Sequence, residues 1–497
     1  MEFAIVRSRA EAGLQAPVVA VEVHLSNGLP AFNVVGMPET AVRESKDRVR
    51  SALINAHFVF PDRRITVNLA PADLPKSGSR FDLPIALGIL AASGQLPPDT
   101  LAGREFFGEL SLDSRLRPVK GLLPAILAAV STGNRAVIAQ GHAWPGLALP
   151  ERHLERAPDL LSLCAALRGR TPFSETEVTR AEPATTEAPD LADVIDQALA
   201  CRALEITAAG AHNLLLQGPP GTGKSMLARC LAGLLPTPDG DTALTLAALY
   251  DLAGQNQPSR QGAPFRAPHH SASAPALVGG GSTPRPGEVS LAHGGVLFLD
   301  ELPEFQRHCL EMLREPLESG EITLSRSRHK LTFPARFQLV AAMNPCPCGY
   351  SSDEDRHCRC TPEQLQRYRQ RLSGPLLDRI DLQVEVSRPS PKALLVSHRT
   401  GEDTDTVRAR VLQAHARQLS RQGCSNAELS ADTLLSNCPM STPDRQWLET
   451  SAESLHLSGR ALHRCLRVAR TIADLSGDRD LGRHHLSEAL AYRQLQG

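Results

Sequence analysis

Gly218-Pro219-Pro220-Gly221-Thr222-Gly223-Lys224-Ser225 follows the apolar run Leu214 to Leu216 and opens the helical stretch Met226 to Leu235. Glycines let a backbone wrap so that its N–H groups face phosphates, and the helix N-terminus behind them adds a favourable dipole. In such a loop Lys224 reaches the β and γ phosphates and Ser225 ligates Mg²⁺, so this stretch predicts a nucleoside-triphosphate site. A bare Gly-Pro turn lacks the strand, the Lys-Ser pair and the helix in register.

Two more apolar runs belong with it. Val296 to Leu299 ends in Asp300-Glu301, and Phe337 to Ala342 runs into Met343-Asn344-Pro345. Continuous apolar runs suit buried parallel strands, whose carboxyl ends converge on one ligand site. Asp300 is then the Mg²⁺-side carboxylate, Glu301 the group that positions and deprotonates the attacking water, and Asn344 an amide sensor of the γ phosphate. Either Asp-Glu or Asn-Pro alone is an ordinary strand end or turn. Their meaning comes from each other.

Outward from this core the chain divides into a multidomain α/β layout. Residues 171–189 combine prolines, threonines and carboxylates with few apolar side chains and read as a linker. Before it, residues 1–170 alternate short β-branched runs (Val18 to Val23, Ile65 to Asn68) with helical stretches (Ala41 to Ala56, Leu83 to Ser93). The parallel-sheet core spans 190–390. Residues 391–497 turn helical, over Thr406 to Arg421, Pro443 to Glu453, Gly459 to Leu475 and Arg483 to Leu495, with Thr442 and Ser458 as N-caps.

With 497 residues the chain exceeds one core and suggests about three domains. Lys plus Arg (53) nearly cancel Asp plus Glu (54), so affinity for a polyanion has to come from local concentrations of charge. The longest apolar run, Leu122 to Val130, contains a proline and is far short of the roughly 20 residues that span a bilayer. The start shows no basic segment, apolar core and small-residue cleavage site, so the expectation is a cytoplasmic protein without membrane contact. Seven of the eleven cysteines are scattered, against a disulfide framework.

The other four cluster as Cys346-Pro347-Cys348 and Cys358-Arg359-Cys360. Two close pairs joined by a polar loop suit tetrahedral Zn²⁺ in a reducing compartment, with an iron–sulfur cluster or free thiols as the alternatives. Such a closed four-thiolate site is structural. It stands two residues past Asn344 and would anchor the chain beyond the sensor.

These residues together resemble an AAA+ ATPase core. Phe265-Arg266-Ala267-Pro268-His269-His270, Pro286 to His293, Phe298-Leu299-Asp300-Glu301-Leu302 and Asn344-Pro345-Cys346-Pro347-Cys348-Gly349 narrow the resemblance to the magnesium-chelatase-like family and, within it, to the ComM/YifB competence group. The resemblance covers nearly the whole chain. It implies a homo-hexamer with ATP at its interfaces and, for that group, a helicase that drives branch migration of DNA junctions in natural transformation. It also implies an arginine finger at Arg379, in Leu376-Leu377-Asp378-Arg379-Ile380-Asp381, and a sensor arginine at Arg460 on a helical lid. One departure is Val194-Ile195-Asp196-Gln197, where the family usually has glycine in place of Asp196.

DNA contact has a sequence basis in two acid-free stretches, Leu252 to Gly287, which holds Arg260, Arg266 and Arg285, and Ile322 to Ser352. The second reads as a hairpin with Ile322/Leu324 and Leu331/Phe333 on its arms and Arg326, Arg328 and Lys330 at its tip. In the family both insertions line the ring's pore. Cationic tips there suit a phosphate backbone, whether single-stranded, duplex or branched.

The first 170 residues resemble a Lon-type domain, with Arg80 at the serine position and Ala125 at the lysine position. A Ser-Lys dyad needs both groups in reach, so a scaffold without protease chemistry is expected, although Ser79 lies one residue away. The rivals to a DNA motor are a metal-insertion or protein-remodelling motor on the same ATPase core, and an ATP-dependent protease.

Overall fold

In the computed structural model, residues 2–142, 144, 147, 149, 151–174, 188–255, 262–281, 284–326, 329–351, 356–390, 393 and 401–493 are described. The chain forms two compact units, Met1–Ala184 with Ala243–Gln257, and Thr185–Thr242 with Pro258–Gly497. The part of the expected linker at 175–187 lies outside the described residues.

The first unit is built on a four-stranded mixed sheet in the order Phe3–Arg9, Val18–Ser26, Arg64–Ala70, Ala31–Val35. Alternation writes its inner face: Val19, Val21, Val23 and Leu25 are buried, as are Ile65, Val67 and Leu69 opposite. The helix Asp82–Ala92 packs on the first two strands and is buried at every position, which its nearly unbroken apolar sequence requires. A three-stranded parallel sheet, Arg104–Phe106, Arg135–Ala139 and Leu154–Ala157, completes the unit.

Ala243–Gln257 falls within the stretch assigned from the sequence to the ATPase core, yet it packs with this unit. Ala247 and Ala248 join Leu123 in an apolar cluster, and Asp251 accepts the Leu123 N–H at 2.7 Å, next to the first turn of the helix Leu123–Ser131.

The second unit carries a five-stranded, all-parallel sheet in the order Phe265–Arg266, Val296–Leu299, Gln338–Met343, Leu214–Gln217, Leu382–Glu385. Its three central strands are buried on both faces, as continuous apolar runs demand. Asn213 stitches the amino-terminal edge: its Oδ1 accepts the Leu339 N–H, its Nδ2 donates to the Arg379 carbonyl, and its N–H donates to Asp381, each at 2.9 Å.

The C-terminal helices are Thr404–Gln422, Ala431–Asn437, Thr442–Ser454, Gly459–Ser476 and Arg483–Ala491. Ser458 caps as expected. Thr442 does not: it is the first helical residue, and Ser441 Oγ accepts the Asp444 N–H, because a cap must lie three residues before the N–H it serves. Among the described residues no helix is long and apolar enough to cross a membrane.

Candidate ATPase site

At the carboxyl edge of the parallel sheet the loop Gly218–Gly223 leads from Leu214–Gln217 into the helix Lys224–Leu234. Gly223 at its N-cap has φ +89°, a left-handed conformation that side-chain-bearing residues rarely take. Thr222 Oγ1 donates to the Pro219 carbonyl at 3.0 Å and fixes the loop's curl. The Lys224 ammonium donates to the Gly218 and Pro219 carbonyls at 2.7 and 2.8 Å and to Asn344 Oδ1 at 3.3 Å. Burial pushes its pKa below the usual lysine range, and the Asp300 carboxylate acts against that shift.

The sheet order explains the contact between Lys224 and Asn344. The strand Gln338–Met343 lies between the phosphate-loop strand and Val296–Leu299, so its end delivers Asn344 between Lys224 and the Asp300-Glu301 pair. Ser225 Oγ donates to Asp300 Oδ2 at 2.9 Å, which places two oxygen ligands suited to Mg²⁺ side by side. Glu301 takes a left-handed conformation at φ 53°, and its N–H donates to Asp300 Oδ1 at 2.9 Å. Its carboxylate is exposed and meets His270 Nδ1 at 3.1 Å. His270, four residues beyond the edge strand Phe265–Arg266, had no assigned role in the sequence. Its only sequence signal was its place in the Phe265 to His270 motif.

The cysteine loop abuts the phosphate loop. A Cβ built on Gly349 would meet Pro220 Cδ at 2.7 Å, so only glycine allows this approach. Sulfur–sulfur distances are 3.3 Å for Cys346–Cys348, 3.7 Å for Cys346–Cys358 and 3.6 Å for Cys348–Cys358, and Cys360 completes a set within 4.8 Å. A tetrahedron of thiolates about 2.3 Å from Zn²⁺ has edges of about 3.8 Å, so the four sulfurs fit such an ion. Backbone N–H groups of Tyr350 and Cys360 point at Cys346 and Cys358 sulfurs at 3.2 and 3.5 Å, and the Arg359 N–H is the main cause of a Cys348 thiol lowered to about 6.

Arg379 and Arg460 lie elsewhere. Arg379 precedes the strand Leu382–Glu385 and stands at the amino-terminal edge of the sheet beside Asn213, while Lys224 stands at the carboxyl edge. At about 3.3 Å per residue, a four-residue strand alone separates the edges by about 13 Å. Arg379 and Arg460 share a cavity of 260 Å³ with Arg464, Arg467, Asp378 and Glu318. Arg464 donates to Asp381 at 2.6 Å. Burial alone would raise the Asp381 carboxyl, but His212, Arg464 and the Asn213 N–H outweigh it and hold it far below the usual range. Arg379 is buried, donates to the Pro375 carbonyl at 2.5 Å and pairs with Glu318.

The hairpin forms from Glu321–Arg326 and His329–Pro334, with Ile322 opposite Phe333 and Leu324 opposite Leu331. Ile322 and Phe333 are buried and Lys330 is exposed. Arg328 lies outside the described residues, as does the Arg260 of the first acid-free stretch. Arg266 of that stretch is neutralised by Glu288 in two 2.6 Å contacts, a pairing across its carboxyl boundary that a count of charges does not reveal.

Asp196 has φ 59°, a left-handed position that glycine takes without strain; its carboxylate accepts the Ser390 N–H at 3.1 Å. In the first unit Ser79 Oγ donates to Glu109, Ala125 is buried, and Arg80 is buried against Glu11 at 2.7 Å with further bonds to the Lys120 and Gly121 carbonyls.

A parallel sheet with the sensor strand between phosphate-loop and Asp-Glu strands defines a P-loop ATPase of AAA+ type. The family description "Magnesium chelatase, subunit ChlI" matches residues 190–394, "Subunit ChlI of Mg-chelatase" residues 21–142, and "Magnesium chelatase, subunit ChlI C-terminal" residues 401–493. Competence protein ComM of Haemophilus influenzae is 50% identical over 501 residues, spanning 100% of this chain and 98% of that protein. YifB of Salmonella typhimurium is 49% identical over 497 residues with the same coverage. The magnesium-chelatase 38 kDa subunit of Cereibacter sphaeroides is 26% identical over 220 residues, 42% of this chain and 57% of that subunit. The chain belongs to the ComM/YifB group of the magnesium-chelatase-like family, and that membership implies ATP hydrolysis with Mg²⁺.

Proposed function

We propose that this chain assembles as a homo-hexameric ATP-driven DNA motor, a branch-migration helicase acting on recombination junctions in natural transformation. The observation that carries the reading is the division of hydrolytic groups between opposite edges of one sheet. Lys224, Ser225, Asp300, Glu301 and Asn344 collect at one edge, and Arg379 and Arg460 share a cavity at the other. A phosphoryl transition state needs cations around its developing charge, so a second copy has to supply those arginines. Rings satisfy that demand for every subunit at once.

DNA as the substrate is supported by the hairpin with exposed Lys330, to whose tip the sequence adds the cationic residues Arg326 and Arg328, and by the competence name of the Haemophilus influenzae relative. The domain roles follow: a Lon-like scaffold at 1–170 whose Ser79 faces a carboxylate, a linker at 171–189, the ATPase core at 190–390 and a helical lid at 391–497. The four cysteines hold a structural Zn²⁺ that braces the segment between Asn344 and the phosphate loop. The magnesium-chelatase family descriptions favour one rival, a metal-insertion motor on the same core.

The test is movement of a labelled four-way junction by purified protein with ATP and Mg²⁺. Junction movement that disappears in Glu301→Gln supports the reading. Absence of both junction movement and DNA-stimulated ATPase, with ATP hydrolysis intact, overturns it and leaves porphyrin metallation as the assay for the rival.

A further inference from the structure

Glu318 and Arg379 form an ion pair whose two members belong to different parts of the ATPase unit. Arg379 is tied to the sheet edge: its carbonyl accepts from Asn213 Nδ2 at 2.9 Å and from Arg464 Nη1 at 3.1 Å. Glu318 sits on the short helix Arg314–Ser319, which Gly320 terminates with φ +70°. The Gly320 carbonyl accepts the Ala335 N–H at 2.8 Å, and that bond closes the base of the hairpin Glu321–Arg326/His329–Pro334. Glu318 is therefore three residues before the hairpin and shares its footing, while Arg379 stays with the sheet.

The exposures are lopsided. The Arg379 side chain is 6% exposed and that of Glu318 58%. Among the described residues Arg379 Nε has no hydrogen-bond partner, so the guanidinium keeps unused donor capacity while Glu318 holds one of its terminal nitrogens. A guanidinium held by a carboxylate has lost part of the charge and the donor geometry that a γ phosphate needs from it. An exposed partner on a separate element is one the arginine can exchange for a stronger anion.

We infer that Glu318 is a positioning residue that restrains Arg379 until phosphate-backbone contact at the hairpin shifts the Arg314–Ser319 helix and releases the arginine toward a neighbouring copy's nucleotide. This rests on the reading of Arg379 as a group donated between copies and of the hairpin as the DNA contact. It assigns the coupling of DNA binding to hydrolysis to one ion pair.

The experiment is steady-state ATPase of the full-length protein, with and without a single-stranded oligonucleotide. E318Q raises the DNA-free turnover by about 5-fold or more, leaves KM for ATP unchanged, and lowers the stimulation by DNA in proportion. E318D restores the restrained rate, and E318Q/R379A turns over no faster than R379A. An E318Q protein with wild-type DNA-free rate and wild-type stimulation overturns the inference, as does a loss of rate in both conditions. R379A separates the layers. If R379A keeps normal turnover, the reading of Arg379 itself falls; if R379A is inactive while E318Q matches wild type, only the role of Glu318 falls.

Discussion

In the N-terminal unit Arg9 meets Glu105 at 2.6 Å, Arg48 meets Asp82 at 2.7 Å and Arg80 meets Glu11 at 2.7 Å, each with at least one side chain wholly or almost wholly shielded from water. In the ATPase unit the charges at the carboxyl edge of the sheet are held differently. Lys224 rests on backbone carbonyls, and Glu301 is exposed against a half-buried His270. A buried ion pair resists exchange, because removing either partner strands the other in a low-dielectric interior. A lysine on neutral carbonyls gives them up readily for phosphate oxygens. The contrast is between ion pairs closed off from water in the N-terminal unit and charges at the carboxyl edge of the ATPase sheet that are open to exchange.

Glu301→Gln is the sharpest probe of that contrast. Turnover should fall by about 10²–10⁴-fold, the usual effect of removing a positioned general base, while ATP binding persists. Retained turnover would place the reaction's base elsewhere and erase the distinction. Arg80→Ala probes the other side: stranding Glu11 and removing the bonds to the Lys120 and Gly121 carbonyls should destabilise the N-terminal unit by about 3 kcal/mol. Urea unfolding measures it. ATPase per folded molecule should stay at the wild-type level, and a selective loss of ATPase would show that this unit takes part in the chemistry.

Acid provides a further test. Burial, with Arg156 and Arg80 nearby, lowers His142 to about 4 from 6.5, and its Nε2 accepts the Val119 N–H at 2.9 Å. Between those values the unfolded chain binds a proton that the folded unit refuses. Stability contributed by the neutral ring is complete above pH 6.5 and is lost as pH falls toward 4, by up to about 3 kcal/mol. His142→Gln should flatten the acid side of the stability profile, and an unchanged profile would contradict the burial argument. Asp196→Gly should have the smallest effect. Relief of the left-handed strain and loss of the bond to Ser390 nearly cancel, leaving a change within about 0.5 kcal/mol in melting experiments.

How much of this was legible depends on the range of the interaction. Lys224, Ser225, Asp300, Glu301 and Asn344 could be read from short motifs, because each follows its own apolar strand by one to eight residues and strand ends converge. The cysteine pairs could be read for the same reason. His270 and Glu318 could not: each acts through a partner 31 or more residues away in sequence, and neither sits in a spacing that chemistry alone requires. The neutralisation of Arg266 by Glu288 and the membership of Ala243–Gln257 in the N-terminal unit were hidden likewise.

The sequence by itself determined the nucleotide chemistry, since a phosphate loop, a metal-side carboxylate and a thiolate cluster are written in local spacings that few other chemistries use. The tertiary structure decided where those parts stand. Strand order inserted Asn344 between Lys224 and Glu301, strand direction set Arg379 at the far edge of the sheet, and the helix Gly459–Ser476 brought Arg460 to the same cavity. The physical reason is that strand pairing and side-chain packing are settled by contacts between distant segments, which local propensity does not encode.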